Sequence, residues 1–552
     1  MLTQGCPDVE VSVPFNSFGI WGIVPPLLTI ILAFVTKDVI VALFVGIFTG
    51  SLIVAGGNVF HALLALTDLI ADMVSDGWNI RIFLFCALLG GLVGMLSRTG
   101  AAHAFGLWAA KKVKNPRTTL LMAWFCGLII FIDDYFNALA VGTVMRPIID
   151  KNKVPRAKLA YVLDSTAAPV CIIVPVSSWV ITVMSIVKGS EGFSALGVSE
   201  FTFFIRSIPY NIYALLTLLM VVVLIITGRD YGPMKKSAEL AKQGKLYNSA
   251  YGEAPGEMER EDLLMRPNAK AIDMLLPILV LIVSAVIMFP VTTYLSLIDG
   301  ETATNLIEAS KLMSVPDAFN NTDASMALWY AAVFTIAVTY IYFLARRLMN
   351  ISQASSAFTN GIKSMVPALI ILSMAWVIGA IIKSSPEDGG LGLSAYLSEL
   401  VIGGGFPLFL VPIIVYALSA LIAFSTGSSW GTFAIMIPIT MPIAVGLAQS
   451  AGYAGAELMN TALFCTGAVL GGAVFGDHTS PISDTTILSS TGAGCPHLEH
   501  VATQLPYSTT AAVCGGLGML AGSMTMSLAV TWAVALVLFV LAIIVLPKIL
   551  KG

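Results

Sequence analysis

Residues 477–481 read Asp-His-Thr-Ser-Pro and interrupt an otherwise apolar stretch of this chain. A similar interruption, Asp-Ser-Thr-Ala-Ala-Pro, stands at 164–169. Each follows a second polar island, which reads Asp-Asp-Tyr-Phe-Asn at 133–137 and Ser-Thr-Gly-Ser-Ser at 425–429. A charged Asp in the middle of a membrane helix costs roughly 2.5 to 3.5 kcal/mol on insertion scales, so such islands usually mark an ion or substrate site. Helices broken in this duplicated way are typical of secondary transporters.

The composition is that of a polytopic membrane protein. Of the 552 residues, 57% are hydrophobic and 11% are charged, and the mean hydropathy is +0.89. These values exclude a large soluble domain. There is no basic stripe for nucleic acid, the seven cysteines lack the pattern of a disulfide framework, and we expect no cofactor. The first 18 residues are polar and contain no Lys or Arg, so we expect no cleavable signal peptide.

Apolar windows of about 20 residues predict the membrane spans. Two spans, 157–187 and 457–484, contain the interruptions, while 118–149 and 406–449 are interrupted at their middles and are predicted to be re-entrant hairpins. The uninterrupted spans are predicted at 19–36, 39–56, 80–97, 201–226, 272–291, 325–345, 364–383, 507–527 and 529–547. We therefore expect an all-α polytopic membrane protein of about 11 transmembrane helices plus two re-entrant hairpins.

These segments divide the chain into five predicted units. Residues 80–190 and 351–490 each hold one hairpin followed by one broken helix, and we interpret them as two repeats. Residues 1–79 and 191–350 supply scaffold helices, with a loop at 228–270 and another at 292–324, and residues 491–552 supply the C-terminal helices.

The placement of Lys and Arg predicts the orientation in the membrane. By the positive-inside rule, the basic segments belong to the cytoplasmic side. The opposite loops hold chiefly Lys188, Lys311 and Lys383 beside many acids. The N-terminus is therefore expected outside and the C-terminus in the cytoplasm, which makes the two repeats inverted. The basic residues concerned are Lys111, Lys112, Lys114, Arg117, Arg146, Lys151, Lys153, Arg156, Lys158, those of 229–270, Arg346, Arg347, Lys363, Lys548 and Lys551.

The polar residues of the islands suit a hard cation such as sodium. Backbone carbonyls at an unwound turn, together with Asp, Asn, Ser and Thr oxygens, are the ligands that such an ion prefers. A membrane carboxylate is stabilised either by a proton or by a bound cation, so one Asp can exchange the two. The predicted sodium, proton or substrate site comprises Asp133, Asp134, Asn137, Asp164, Thr166, Thr426, Ser428, Asp477, Thr479 and Asp484.

Two motifs carry a resemblance to a known family. Residues 131–137, FIDDYFN, and especially 476–486, GDHTSPISDTT, resemble the motifs of the NhaC-type sodium/proton antiporter family. The likeness covers roughly 80–190 and 330–545. It implies a multi-pass exchanger of the bacterial inner membrane, with inverted repeats and paired hairpins, surrounded by lipid and assembled as a homodimer. Relatives in that family include proteins assigned to sodium/proton exchange, to malate/lactate exchange and to amino-acid uptake.

Each candidate residue also has a plain structural interpretation. The aspartates can cap helices, with Asp484 solvated at the membrane surface, and the Ser and Thr residues of 425–429 can pack between helices. The group Cys495, His497, Glu499 and His500 superficially suggests a metal site, but its spacing fits no standard zinc pattern.

Three classes of function fit membrane aspartates. A sodium/proton antiporter needs only cation ligands and a titratable Asp. A sodium- or proton-coupled carrier of an amino acid or organic acid needs, in addition, anion donors such as helix N-termini at the hairpin tips. An intramembrane aspartyl protease, an enzyme, would need Tyr-Asp and Gly-x-Gly-Asp signatures, which the sequence lacks.

The orientation is testable with single cysteines introduced into the predicted loops. Because the basic loops belong inside, positions in 150–156 and 228–270 should react with a membrane-impermeant thiol reagent only from the cytoplasmic side, and positions in 384–392 only from outside. Labelling in right-side-out and inverted vesicles measures this. Reaction of both hairpin bases from the same side would contradict the inverted-repeat interpretation.

Overall fold

The computed structural model describes residues 17–36, 38–111, 113, 115–131, 133–252, 254, 268–298, 302–383, 386, 389–393, 396 and 407–550. Predicted features at 1–16, 37, 112, 114, 132, 253, 255–267, 299–301, most of 384–406 and 551–552 lie outside the described residues. Within the described part the chain is helical and contains no strand, which confirms an all-α polytopic membrane protein.

The N-terminal helices begin at polar caps. The side chains of Asp38, Asn58 and Asp76 each accept backbone N–H groups from the first turn of the helix that follows, which satisfies donors that lack helical partners. Two helices, Val59–Ser75 and Ala101–Ala110, are not among the predicted spans. In the first, Asp68 and Asp72 interrupt the apolar pattern, and its axis lies at 117° to that of the preceding helix. The helices are α1 (Val24–Thr36), α2 (Val39–Val54), α3 (Val59–Ser75), α4 (Gly77–Arg98) and α5 (Ala101–Ala110).

The first predicted hairpin consists of α6 (Pro116–Ile129) and α7 (Asp134–Lys151). The side-chain amide of Asn137 donates to the carbonyl of Gly127 at 2.8 Å, and that of Asn152 donates to the hydroxyl of Thr119 at 3.2 Å. These contacts show that α6 and α7 run antiparallel, as a hairpin requires. The re-entrant path through the membrane stays a prediction.

The first broken helix is confirmed. It consists of α8 (Arg156–Thr166), the single turn α9 (Ala168–Cys171) and α10 (Ser178–Gly189). Pro169 supplies no N–H at the start of α9, and Ser177 caps α10 by accepting the N–H of Val180 at 3.2 Å. The chain is therefore unwound at 172–177, next to the predicted polar island.

The middle of the chain combines long apolar helices with shorter helices of 6 to 10 residues. The predicted span 201–226 is divided at Asn211, where the axis bends by 50°. The helices are α11 (Glu200–Ser207), α12 (Ile212–Thr227), α13 (Pro233–Lys242), α14 (Ile272–Ser296), α15 (Leu306–Leu312), α16 (Val315–Asn320) and α17 (Ala324–Ala345).

The C-terminal half repeats the pattern of a helix pair followed by a broken helix. Its helices are α18 (Ile351–Ser364), α19 (Val366–Lys383), α20 (Val411–Thr426), α21 (Ser429–Ser450), α22 (Gly455–Thr479), α23 (Asp484–Ala493), α24 (His497–Thr525) and α25 (Leu528–Ile549). The second predicted hairpin corresponds to α20 and α21, and the second broken helix to α22 and α23.

The boundary predicted for the second broken helix is wrong. Helix α22 continues through Asp477, and the break lies at 480–483, with the second half-helix extending to Ala493 rather than ending at 484. The reason is Pro481, since a residue that precedes proline is driven out of helical geometry: Ser480 has φ −74° and ψ 129°. The polar residues 477–479 therefore form the last turn of a helix.

Seven helices among the described residues are long and apolar enough to cross a membrane, and nine if each of two bent pairs counts as one span. Other predicted spans fall in helices that are shorter, broken or more polar. The total of about eleven spans therefore stays a prediction.

Small residues allow α20 and α22 to pack closely. A Cβ added at Gly472 would overlap the carbonyl oxygen of Tyr416, and one added at Gly476 would overlap that of Ala420. The two helices therefore run parallel with their backbones in contact, a packing that membrane helices use in place of hydrophobic burial.

The substitution Gly472→Ala tests this packing. The added methyl group meets rigid backbone, so we expect a loss of about 1 to 3 kcal/mol in stability and a lower melting temperature in detergent. Gly189→Ala is the matched control, because no atom lies within 4 Å of the added Cβ. Equal melting temperatures for the two variants would contradict the close packing.

Candidate functional site

The carboxylate of Asp477 lies at the end of α22 and is 3% exposed. Its Oδ2 accepts the hydroxyl of Ser429 at 2.7 Å, and its Oδ1 accepts the hydroxyl of Ser483 at 2.6 Å. Ser429 begins α21, and Ser483 belongs to the break between α22 and α23. The carboxylate thus connects the second helix pair to the second broken helix.

The backbone around Asp477 holds these hydroxyls in place. Helix α20 ends at Gly427, which has φ 67° and packs against the backbone of Ile482 and Ser483 so closely that a Cβ would clash. The hydroxyl of Ser480 donates to the carbonyl of Phe424 at 2.7 Å. The turn at 427–428 therefore lies directly on the break.

The first hairpin brings a second buried carboxylate. Asp134, at the start of α7, is 4% exposed and accepts the indole N–H of Trp179 at 3.1 Å. Asp134 interacts electrostatically with both Asp133 and Asp477. The neighbouring hydroxyl of Tyr135 donates to the exposed Asp484 at 3.1 Å, which ties the first hairpin to the second break. We call Asp134, Asp477, Ser429 and Ser483 the carboxylate site.

The carboxylate site is chemically suited to a hard cation. It offers carboxylate and hydroxyl oxygens, the ligands of sodium-type ions, and its two acids lie close enough to repel one another when both are ionised. Buried like charges persist only when a cation or a proton compensates them. A separate question is whether three or more His, Cys, Asp or Glu side chains gather into a metal site, and among the described residues no such group is found. Cys495, Glu499 and His500 therefore do not form one.

Several predicted oxygen donors lie close to the ends of the helices but are already bonded to backbone. The hydroxyls of Thr166, Thr426 and Thr479 donate to carbonyls four residues earlier at 2.8 Å in each case, and Ser428 caps α21. The amide of Asn137 also donates to the carbonyl of Thr166 at 2.8 Å and so joins the first hairpin to the first break. Their part in a site stays a prediction.

Asp164 stands apart from the serines of the carboxylate site. Its Oδ2 is 3.2 Å from the hydroxyl of Thr486 and 3.2 Å from Nε2 of His500, and 3.9 Å from Nε2 of His478. All four side chains are buried. We call them the histidine cluster. Asp164 and Asp477 interact electrostatically, so the cluster and the carboxylate site are neighbours.

His478 is held between aromatic residues. Its Nδ1 lies 2.7 Å from the hydroxyl of Tyr213, its Nε2 lies 3.4 Å from the hydroxyl of Ser165, and its ring stacks on Tyr161 at 6.3 Å between centroids. These contacts fix the orientation of the His478 ring between the two broken helices, whichever nitrogen carries the proton.

The sequence did not single out several residues that the structure brings to the site. Ser429 and Ser483 both belong to the motifs, but many hydroxyls stand there, and only the fold selects those that reach Asp477. Trp179 contacts Asp134 from another helix, and no local pattern points to it. Thr486 ends the 476–486 motif and His500 belongs to the group 495–500, but nothing in the sequence predicts that either contacts Asp164.

Comparisons with known proteins show the family of this chain. The model of the Na+/H+ antiporter family matches residues 170–524. An uncharacterized protein of Haemophilus influenzae is 38% identical over 518 residues, 93% of this chain and 92% of that protein. An uncharacterized Na(+)/H(+) antiporter of the same organism is 34% identical over 153 residues, 28% and 29% of the two chains. The malate-2H(+)/Na(+)-lactate antiporter of Bacillus subtilis is 31% identical over 159 residues, 29% and 30%.

A helical membrane protein in which two broken helices and their neighbouring helix pairs enclose buried carboxylates has the construction of a secondary transporter. The chain belongs to the Na+/H+ antiporter family, which confirms the resemblance seen in its motifs. This is a family of transporters.

The serine that binds Asp477 provides a test of the carboxylate site. Ser429→Ala removes a hydroxyl oxygen that lies 2.7 Å from the carboxylate and can coordinate a cation beside it, so we expect sodium-dependent thermal stabilisation to require about tenfold more sodium. Ser425→Ala is the control from the same island, because within the described residues that hydroxyl donates to the carbonyl of Ile422 in its own helix and not to a carboxylate. Equal sodium requirements in both variants would contradict the assignment.

Proposed function

We propose that this protein exchanges sodium for protons across the bacterial inner membrane. The observation that carries the proposal is the buried carboxylate of Asp477, held between the hydroxyls of Ser429 and Ser483 and close to Asp134. These oxygens suit sodium, and membership of the Na+/H+ antiporter family supports sodium and protons as the two exchanged ions.

The carboxylate site explains how one location serves both ions. The two hydroxyls donate hydrogen bonds to Asp477 but bring no positive charge, so the buried carboxylate needs either sodium or a proton. Sodium and protons therefore compete for Asp477, and each leaves when the other arrives. Exchange follows if the occupied site alternates between the two sides of the membrane.

The movable parts are the helix pairs and broken helices that form the site. The long apolar helices α1, α2, α12, α14 and α17 act as the scaffold against which they move, because the breaks and turns are concentrated around Asp477 and Asp134. A homodimer held by scaffold surfaces and surrounded by lipid fits this division. The exposed apolar side chains of α14 and α25 supply faces for lipid or a second subunit.

The orientation follows from the distribution of basic residues. Lys and Arg concentrate at the ends of α5, α7, α17 and α25 and in the segment after α12, and these ends belong in the cytoplasm by the positive-inside rule. The N-terminus then lies outside and the C-terminus inside.

A second candidate is sodium- or proton-coupled carriage of an organic acid or amino acid. The observation that favours it is the similarity to the relative named a malate-2H(+)/Na(+)-lactate antiporter. The two functions differ in what dissipates a pH gradient in vesicles. Sodium alone suffices for sodium/proton exchange, whereas the carrier requires sodium together with an organic solute.

The decisive variant is Asp477→Asn, which keeps the size of the side chain but removes its charge, and one of the two serine hydroxyls must then accept the amide N–H instead of donating. In proteoliposomes with an imposed sodium gradient, we expect it to lose sodium-dependent proton movement, measured with a pH-sensitive dye, without losing expression. The double variant Asp133→Asn/Asp134→Asn should be strongly impaired for the same reason. In the wild type, sodium affinity should fall as pH is lowered.

Asp72→Asn is the matched control, since that carboxylate is exposed on α3 and far in sequence from the site. It should exchange like the wild type. Wild-type exchange and pH dependence in both Asp477→Asn and the double variant would refute the proposed function.

A further inference from the structure

Two helices that meet beside the carboxylate site begin with the same three residues. Residues 177–179 and 428–430 both read Ser-Ser-Trp, at the starts of α10 and α21. In each case the first serine caps its helix by accepting the backbone N–H of the residue three positions later, at 3.2 Å. The rings of Trp179 and Trp430 pack edge to face, with 6.0 Å between their centroids. The start of α10 is therefore fixed against the start of α21.

Trp179 reaches the buried carboxylate of the first hairpin. Its indole N–H donates to Oδ1 of Asp134 at 3.1 Å, and the residue is 1% exposed. The ring of Phe433, one turn further along α21 than Trp430, also packs against the indole, with 5.9 Å between centroids and 74° between the ring planes. These two aromatic neighbours fix the orientation of the indole, so its N–H stays directed at Oδ1.

The indole restricts how Asp134 can bind a cation. A carboxylate coordinates a metal ion either through one oxygen or through both. The hydrogen of the Trp179 N–H group lies on Oδ1 and carries a partial positive charge, so it repels a cation from that oxygen. Asp134 therefore offers the cation its Oδ2 alone.

The same aromatic rings connect the two acids of the carboxylate site. Ser429, which donates to Asp477 at 2.7 Å, directly precedes Trp430 in the sequence. Trp430 contacts Trp179, and Trp179 holds Asp134. The oxygens around the cation are thus limited in number and held in position by the starts of α10 and α21. Such a site selects cations by size, because a larger cation takes more oxygen ligands at longer distances.

We propose that Trp179 is a positioning residue that makes the carboxylate site prefer sodium to the larger potassium ion. This inference rests on the proposed sodium/proton exchange. Trp179 acts through Asp134, by keeping one carboxylate oxygen out of the coordination shell of the cation. Removing the indole N–H frees that oxygen, and potassium gains more from an additional ligand than sodium does.

The variant Trp179→Phe removes the N–H group and keeps an aromatic ring beside Trp430 and Phe433. Thermal stabilisation of the purified protein is titrated with sodium chloride and, separately, with potassium chloride, at constant pH and with choline chloride keeping the ionic strength constant. We expect the ratio of the potassium to the sodium dissociation constant to fall about tenfold, because the freed oxygen favours the larger ion. A loss of packing alone lowers the melting temperature but leaves this ratio unchanged.

Trp376→Phe is the matched control. Trp376 of α19 also donates a buried indole N–H, to the hydroxyl of Ser185 on α10 at 2.7 Å. This variant therefore loses the same kind of bond to α10, but at a hydroxyl and not at a carboxylate, and it should keep the wild-type ratio. Phe433→Leu is a second test, because it keeps the Trp179 N–H and loosens the ring that carries it. Its ratio should fall in the same direction by a smaller factor.

The possible results separate this inference from the proposed function. An unchanged ratio in both Trp179→Phe and Phe433→Leu, with sodium still bound and exchanged, would overturn the role of Trp179 and leave the exchange standing. An equal fall in Trp179→Phe and Trp376→Phe would also overturn it, because the loss of either indole bond to α10 would then suffice. If Trp179→Phe does not fold, the ratio measured for Phe433→Leu decides. If sodium does not stabilise the wild type, the inference and the proposed sodium site fail together.

Discussion

The buried charge of Asp477 is the constraint on which the site depends. A carboxylate removed from water is costly unless it is hydrogen-bonded and its charge is compensated. Ser429 and Ser483 provide the hydrogen bonds, and to do so the start of α21 and the break after α22 must meet at this carboxylate. In the proposed exchange, sodium or a proton supplies the compensating charge. The packing of one broken helix is thereby linked to the chemistry of exchange.

The first halves of the two broken helices end with the same side-chain hydrogen bonds but lie in different surroundings. Thr166 and Thr479 each stand two residues after an Asp and donate to the carbonyls three and four residues before them, so both helices end in the same way. Asp477 accepts hydrogen bonds from serine hydroxyls. Asp164 instead lies within hydrogen-bond distance of the imidazole of His500 and the hydroxyl of Thr486. Hydroxyl oxygens suit a hard cation and an imidazole suits a proton. Two similar aspartates have thus acquired different chemical environments.

Close packing and polar anchors together hold this arrangement. Glycines bring backbones into contact, both between α20 and α22 and between α4 and α18, where Gly90 and Gly94 face Gly361. At the basic end of the bundle, Glu499 is fully buried and accepts the hydroxyl of Ser237 at 2.6 Å and the N–H of Asn248 at 2.9 Å. The segment after α12 is therefore fastened to α24, beside the histidine cluster.

The sequence by itself determined the membrane class, most helix positions, the polar breaks and the aspartates, because hydropathy, proline and buried charge act locally and are visible in one dimension. It could not place the second break correctly, since the polar residues 477–479 look like the interruption while Pro481 is what ends the helix. Only the tertiary structure decided which groups face each aspartate. Ser429, Trp179 and His500 come from separate helices, and the contacts they make depend on helix packing that no local pattern encodes.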